Sequence, residues 1–157
     1  MFLCFRDFVA KNNNSFIMEK CTFCKIIDKE FQSSIVYEDD IAIAFMDIQP
    51  VNEGHVLIVP KKHYITLDDC DEETAKHLMA VTKRLNNSVS KAVKCEGILN
   101  LIANGKEAGQ EIFHLHIHII PRYKNDGFGL KFADEYFRKK ERKVLDETAE
   151  KIKKEVN

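Results

Sequence analysis

No run of apolar residues in this 157-residue chain approaches the ~20 needed to cross a bilayer, so no membrane-spanning segment and no membrane partner are expected. Net charge is also missing. With 24 Lys and Arg against 25 Asp and Glu, no global positive field exists to recruit nucleic acid, and such a function would need a local patch. No internal repeat and no long low-complexity stretch is visible, so a stacked-repeat architecture is excluded. The five cysteines, Cys4, Cys21, Cys24, Cys70 and Cys95, are odd in number and too sparse for a secreted disulfide scaffold, which fits a reducing, cytoplasmic compartment. Residues 1–10 are partly apolar, but Arg6 and Asp7 interrupt them. Without a basic start, a continuous apolar centre or a small-residue cleavage site, they do not read as a signal peptide.

What is present fits one ordinary domain that can bury a core without disulfides. The polar cluster at 11–15 (KNNNS) separates the short leader from the patterned chain. Residues 1–17 are therefore expected to be a flexible extension, and 18–157 a single domain. Residues 34–47, rich in Ile, Val, Tyr and Phe and broken by Glu38, Asp39 and Asp40, read as two antiparallel strands joined by a short turn. Pro50, Asn52 and Gly54 mark a turn, and 55–59 a strand ending at Pro60. From 71 to 94, Ala75, Leu78, Met79, Thr82, Leu85, Val89, Ala92 and Val93 share one side at helical spacing. Acidic residues at 68–73 suit the positive end of that helix's dipole. Strand returns at 97–103, a glycine-containing loop spans 104–109, a last strand covers 112–120 up to Pro121, and a charged helix runs from Asp134 to the end. The order strands, helix, strands, helix predicts an α+β fold with a mainly antiparallel sheet, one long helix and a C-terminal helix. In that last helix Phe137, Val144, Leu145 and Ile152 are expected to dock on the body or on another subunit, opposite a solvated face of mixed charge.

The chemistry concentrates in His114, Leu115, His116, Ile117, His118. Alternation on a strand puts the three histidines on one face and Leu115, Ile117 and Ile119 on the other. A lone histidine there would be an ordinary polar residue, but three of the six histidines in strict alternation call for a function. Neutral imidazole is both a common metal ligand and a good nucleophile, so the residues leave two readings open. One is a zinc-binding cluster; the other is a middle imidazole attacking phosphorus with its second nitrogen tied by a hydrogen bond. The preceding Asn104, Gly105, Gly109 and Gln110 favour the second, since amide donors and close backbone approach suit the spread charge of a transferring phosphoryl group.

This run, followed by Ile119 and Ile120 and preceded by Gly109 and Gln110, resembles the signature of the histidine triad family. So do residues 21–27 (CTFCKII), 36–40 (VYEDD), 45–48 (FMDI) and 54–63 (GHVLIVPKKH), a likeness covering about 18–131. The resemblance implies a HIT-like fold that pairs into a homodimer through helix 71–94 and strand 97–103. It further implies an enzyme acting on nucleotides substituted at the α-phosphate, such as phosphoramidates or dinucleoside polyphosphates, through a nucleotidyl-histidine on His116. In that scheme His118 contacts the phosphate and His55 is an auxiliary histidine. Asp47 holds the ribose, while Phe23, Ile26 and Ile48 line a pocket for a base, purine being expected. Asn104, Gly109 and Gln110 serve the phosphate. The bland readings are core packing for Phe23, Ile26 and Ile48 and a turn cap for Asp47.

Cys21 and Cys24 alone make half a zinc site; buried thiols or a redox pair are the other readings. The resemblance to a mostly bacterial, zinc-carrying branch adds His63 and His114, implying a structural zinc held by Cys21, Cys24, His63 and His114. His114 would then bind metal while His116 stays free. Two features depart from the phosphoramidase branch: Glu111 stands where a serine is frequent, and the chain has no tryptophan, its end running through 122–131 into the charged helix. The competing expectation is a zinc-stabilised nucleotide-binding or regulatory module with incidental catalysis.

Overall fold

The structure, a computed structural model, describes residues 21–156, and the extension expected over 1–17 lies outside them. The described residues divide into two compact units after Asp126.

The first unit opens with a short helix α1 (Thr22–Ile27), then strands β1 (Ile35–Glu38), β2 (Ala42–Met46) and β3 (Val56–Pro60). The long helix α2 (Glu72–Val93), β4 (Gly97–Leu101), a 3-10 turn at Lys106–Ala108 and β5 (Ile117–Arg122) follow. The strands form one antiparallel sheet in the order β1-β2-β3-β5-β4. Asp39 turns β1 into β2 by accepting the backbone N–H groups of Ile41 and Ala42 at 2.9 and 2.7 Å. Asp71 caps α2 by accepting Thr74 N–H at 2.9 Å, and Lys94 ends the helix in the left-handed region at φ 53°. The side of α2 carrying Leu78, Val81, Thr82, Leu85 and Val89 is buried. Of the expected stripe Leu78, Thr82, Leu85 and Val89 face the core, whereas Met79 and Ala92 are exposed and Val81 takes a core place, because the buried side is centred on Leu78, Val81 and Leu85.

Period-2 alternation separates the two sheet faces. Ala42, Ala44, Val56, Ile58, Leu115, Ile117 and Ile119 join the buried stripe of α2 in the main core. Ile43, Phe45, Leu57 and Val59 face the other way and pack with Cys21, Phe23, Cys24 and Ile26 from α1 and its cap. The histidine face of the β5 segment lies on this second side, so α1 covers the chemistry while α2 covers the core.

Within the first unit the structure corrects three boundaries. Ladder pairing of the histidine segment begins at Ile117, not at 112, because β3 offers partners to Ile117, His118 and Ile119 alone. His114 and His116 thus stand on a lead-in that keeps the alternation, with Leu115 N–H bonded to the Tyr64 carbonyl at 2.6 Å. Pro121 does not end the strand: its carbonyl accepts Asn52 Nδ2 at 2.8 Å, away from β4, where its missing N–H is not needed. β4 stops at Leu101 rather than 103. The α1 turn, which carries the cysteine pair, is a helix too short for its sequence spacing to announce.

The second unit holds a 3-10 turn at Asp134–Phe137 and helix α3 (Arg142–Glu155). The helix starts eight residues later than the expected Asp134, because Arg138 is extended (ψ 121°) and Glu141 is the N-cap. Phe132 and Tyr136 stack at 4.0 Å between ring centroids, and Phe137, Val144, Leu145 and Ile152 are exposed. Among the described residues no helix is long and apolar enough to cross a membrane.

Candidate functional site

Four side chains from three regions meet behind the sheet's second face. Cys21 is the N-cap of α1 and Cys24 lies in its first turn. His63 follows β3, and His114 leads into β5. Their donor atoms lie within 4.8 Å of one another. Cys21 Sγ is 3.4 Å and Cys24 Sγ 3.6 Å from His114 Nδ1, and Cys24 Sγ is 3.3 Å from His63 Nδ1. Zinc bonds of about 2.3 Å to sulfur and about 2.0 Å to nitrogen, at tetrahedral angles, separate the two donor types by about 3.5 Å. Three of the cluster's sulfur–nitrogen separations match that spacing, and all four donors lie close enough to converge on a four-coordinate ion. The tautomer fits as well: His114 Nε2 donates to the Pro60 carbonyl at 2.9 Å, which leaves Nδ1 as a lone pair aimed at the thiols. His63 Nε2 is buried without a partner, so its Nδ1 is the nitrogen turned to the cluster. Burial, helped by the neighbouring His63 and His116, pushes His114 down to about 4, and burial also lowers His63. Both are neutral at pH 7, the form in which an imidazole can serve as a metal ligand.

Next to this cluster the backbone of His114 performs a second task. Its carbonyl accepts Nδ1–H of His116 at 2.7 Å, so Nε2 of His116 carries the lone pair. Burial lowers His116, keeping it neutral. The Phe23 ring, between the two cysteines in sequence, meets His116 edge-on at 5.3 Å and His114 at 6.0 Å. His118 lies 4.8 Å from His116, centroid to centroid. His55, almost wholly buried, places Nε2 2.9 Å from His118 Nδ1. Asp47 Oδ2 is 3.5 Å from His55 Nδ1, while its Oδ1 accepts Gln49 N–H at 2.8 Å. Burial and the neighbouring His116 and His55 push His118 down to about 4. A lone-pair nitrogen beside two neutral histidines and a carboxylate is a centre suited to nucleophilic attack on an anionic ester or amide.

A family model for the HIT domain matches residues 28–125. The chain belongs to the HIT family. An uncharacterized HIT-like protein of Borreliella burgdorferi is 46% identical over 116 residues, 73% of this chain and 84% of its own. An adenosine 5'-monophosphoramidase of Saccharomyces cerevisiae is 44% identical over 102 residues, 65% of this chain and 62% of its own. Among solved structures, a Streptococcus mutans protein superposes with a TM-score of 0.82 at 34% identity, covering 88% of this chain and 86% of its own. A zinc-bound histidine triad protein from Mycobacterium smegmatis gives 0.68 at 30%, covering 74% and 85%.

The HIT fold brings His55, His116, His118, Asp47 and Phe23 together, and the four metal candidates beside them. The remaining expected residues are placed less uniformly. Ile26 is buried in the α1 core, whereas Ile48 is 94% exposed on the turn after Asp47. Gln110 braces its own loop: Nε2 donates to the carbonyls of Ile65 and Ile112 at 2.6 and 3.2 Å, and Oε1 accepts Gly105 N–H at 2.8 Å. Its amide is thus spent internally. Asn104 Oδ1 accepts Leu67 N–H at 3.1 Å, and Gly109 takes a left-handed φ of 89° after the 3-10 turn. Besides the His114 carbonyl, two further participants are backbone groups that side-chain reading overlooks. The Pro60 carbonyl orients His114, and the Val51 N–H reaches His55 Nδ1 at 3.2 Å.

Proposed function

We propose that this protein is a nucleotide hydrolase or nucleotidyl transferase acting on purine nucleotides substituted at the α-phosphate. The observation that carries the reading is the 2.7 Å bond from His116 Nδ1 to the His114 carbonyl, because it leaves Nε2 unprotonated and aimed. In the reaction Nε2 attacks the α-phosphorus, the bond from phosphorus to the amine or phosphate leaving group breaks, and the leaving group departs with its electron pair and takes up a proton. Water then cleaves the phosphorus–nitrogen bond, returning the histidine and releasing the nucleoside monophosphate. His118 contacts the phosphoryl oxygens, and Asp47 Oδ2 faces the ribose hydroxyls. Phe23 and Ile48 border the base. The yeast relative's phosphoramidase name supports a purine substrate.

Cys21, Cys24, His63 and His114 would hold zinc. With four protein ligands the ion would supply charge and rigidity and would leave no open position for water. The zinc-bound mycobacterial relative supports this choice of metal. A homodimer formed through α2 and the free edge of β4 completes the reading. Asn86 and Asn100 already bond reciprocally across that face at 2.7 and 3.0 Å, and Met79 is exposed on it.

The test is incubation with adenosine phosphoramidate and intact-mass analysis. A nucleotidyl adduct is expected on the wild type and none on His116→Ala. An unchanged rate in that variant overturns the nucleophile, and nucleotide binding without turnover in the wild type favours the binding-module alternative.

A further inference from the structure

His116 and His118 share one face of the chain, yet the backbone treats them oppositely. His116 Nδ1 has a carbonyl for partner, so it must carry the proton. His118 is tied through His55 to the turn before β3, where Val51 N–H points at His55 Nδ1 with 3.2 Å between nitrogens. A backbone N–H only donates, so His55 Nδ1 must be the lone pair. The proton of neutral His55 then sits on Nε2, 2.9 Å from His118 Nδ1. His118 Nδ1 accepts it, and its own proton goes to Nε2.

We infer that His55 is a positioning residue that passes the polarity of the Val51 amide to His118, fixing His118 as the Nε2–H tautomer. His118 then meets a phosphoryl or leaving-group oxygen as a donor beside a nucleophile that presents a bare lone pair. This inference rests on the proposed reaction for its use and on the hydrogen-bond geometry for its existence. Uncharged imidazoles are required, and burial lowers both His55 and His118. The competing arrangement would put the His55 proton on Nδ1, toward Asp47 Oδ2. That contact is longer, at 3.5 Å, and it would set two donors, Nδ1–H and Val51 N–H, against each other. It would also invert His118 and leave Nε2 of both triad members without a proton, so nothing would donate to the developing charge.

The full chain, labelled with nitrogen-15 at histidine and free of nucleotide, tests this by two-bond proton–nitrogen correlation spectra. The expected result is Nε2–H with an accepting Nδ1 for His55 and His118, and the reverse, Nδ1–H, for His116. In His55→Ala, His118 should become a mixture of tautomers. In His55→Gln, whose amide nitrogen stands near the position of Nε2 and keeps a donor, the Nε2–H form should return. A wild-type His118 protonated on Nδ1 overturns the inference, as does a His118 unmoved by His55→Ala. The wild-type spectrum alone decides if either variant fails to fold. No turnover enters the readout, so a missing nucleotidyl adduct with the expected tautomers sinks the proposed reaction and leaves the relay standing.

Discussion

Gly54 shows how little room the chain leaves in the turn before β3. Its φ is +87°, and a Cβ placed there would lie 2.8 Å from Val93 Cγ1 and 3.2 Å from the Pro121 ring. Strain at a left-handed position adds to overpacking, so Gly54→Ala should cost about 2–3 kcal/mol, read as a lower urea midpoint. Adding Val93→Ala should recover part of the loss and not the rest, since it relieves the clash but not the backbone. An unchanged midpoint in the single variant would show that the turn can relax. The glycine was legible in the sequence as a turn, but its contact with the end of α2 was not, because that contact joins residues 39 positions apart. The histidines divide the same way. Their alternation was legible, whereas the groups that give each its task are the backbone of Pro60, His114 and Val51, which leave no mark in a side-chain pattern.

At the scale of elements, α2 grips the first hairpin through one carboxylate. Asp39 accepts Tyr37 OH at 2.5 Å and His77 Nε2 at 2.7 Å in addition to the two turn amides, and Arg84 donates to Tyr37 OH at 2.9 Å. His77 and Arg84 lie two helical turns apart on one side of α2, which is why both reach the hairpin. Burial by itself would raise the Asp39 carboxyl, but the donors from Tyr37, Ala42, Ile41 and His77 outweigh it and hold it well below the usual range. A depressed folded-state pKa contributes stability above the unfolded value of about 3.9 and loses it as pH falls further. Asp39→Ala should therefore destabilise by on the order of 2 kcal/mol at pH 7, and the gap from wild type should close in acid. Urea titrations at several pH values check this, and a gap that widens below pH ~4 would contradict the assignment. The sequence placed His77 on the helix but gave it no role, since its partner lies 38 residues away. The late start of β5 has a similar cause. Alternation is local, but a ladder begins where a neighbour supplies partners, and β3 supplies them from Ile117 onward.

For the whole domain, the decisive tie joins α1 to the lead-in of β5. Cys21 and His114 stand 93 residues apart, so an ion held there closes a loop through most of the first unit. Burial and the neighbouring Cys21 thiol push Cys24 up to about 12, so without metal it stays protonated at pH 7 and must give up its proton when zinc binds. Metal uptake should then acidify the solution, and affinity should rise with pH and fall as pH drops. A ligand at a hundred times its dissociation constant adds about 2.7 kcal/mol to folding. In a domain of this size each kcal/mol moves the melting midpoint by about 2–4 °C, so metal-stripped protein should melt about 5–10 °C lower. Elemental analysis of Cys24→Ser should show the zinc lost and the same lowered midpoint, now indifferent to chelator. Zinc added to stripped protein in weak buffer, followed by a pH electrode, should release protons. Wild-type protein that purifies without zinc, or takes it up with no proton release and no change in melting, would mean that α1 is held by its apolar contacts alone. Phe23 would then reach His116 through packing against Phe45, 5.5 Å away, with no help from a metal beside it.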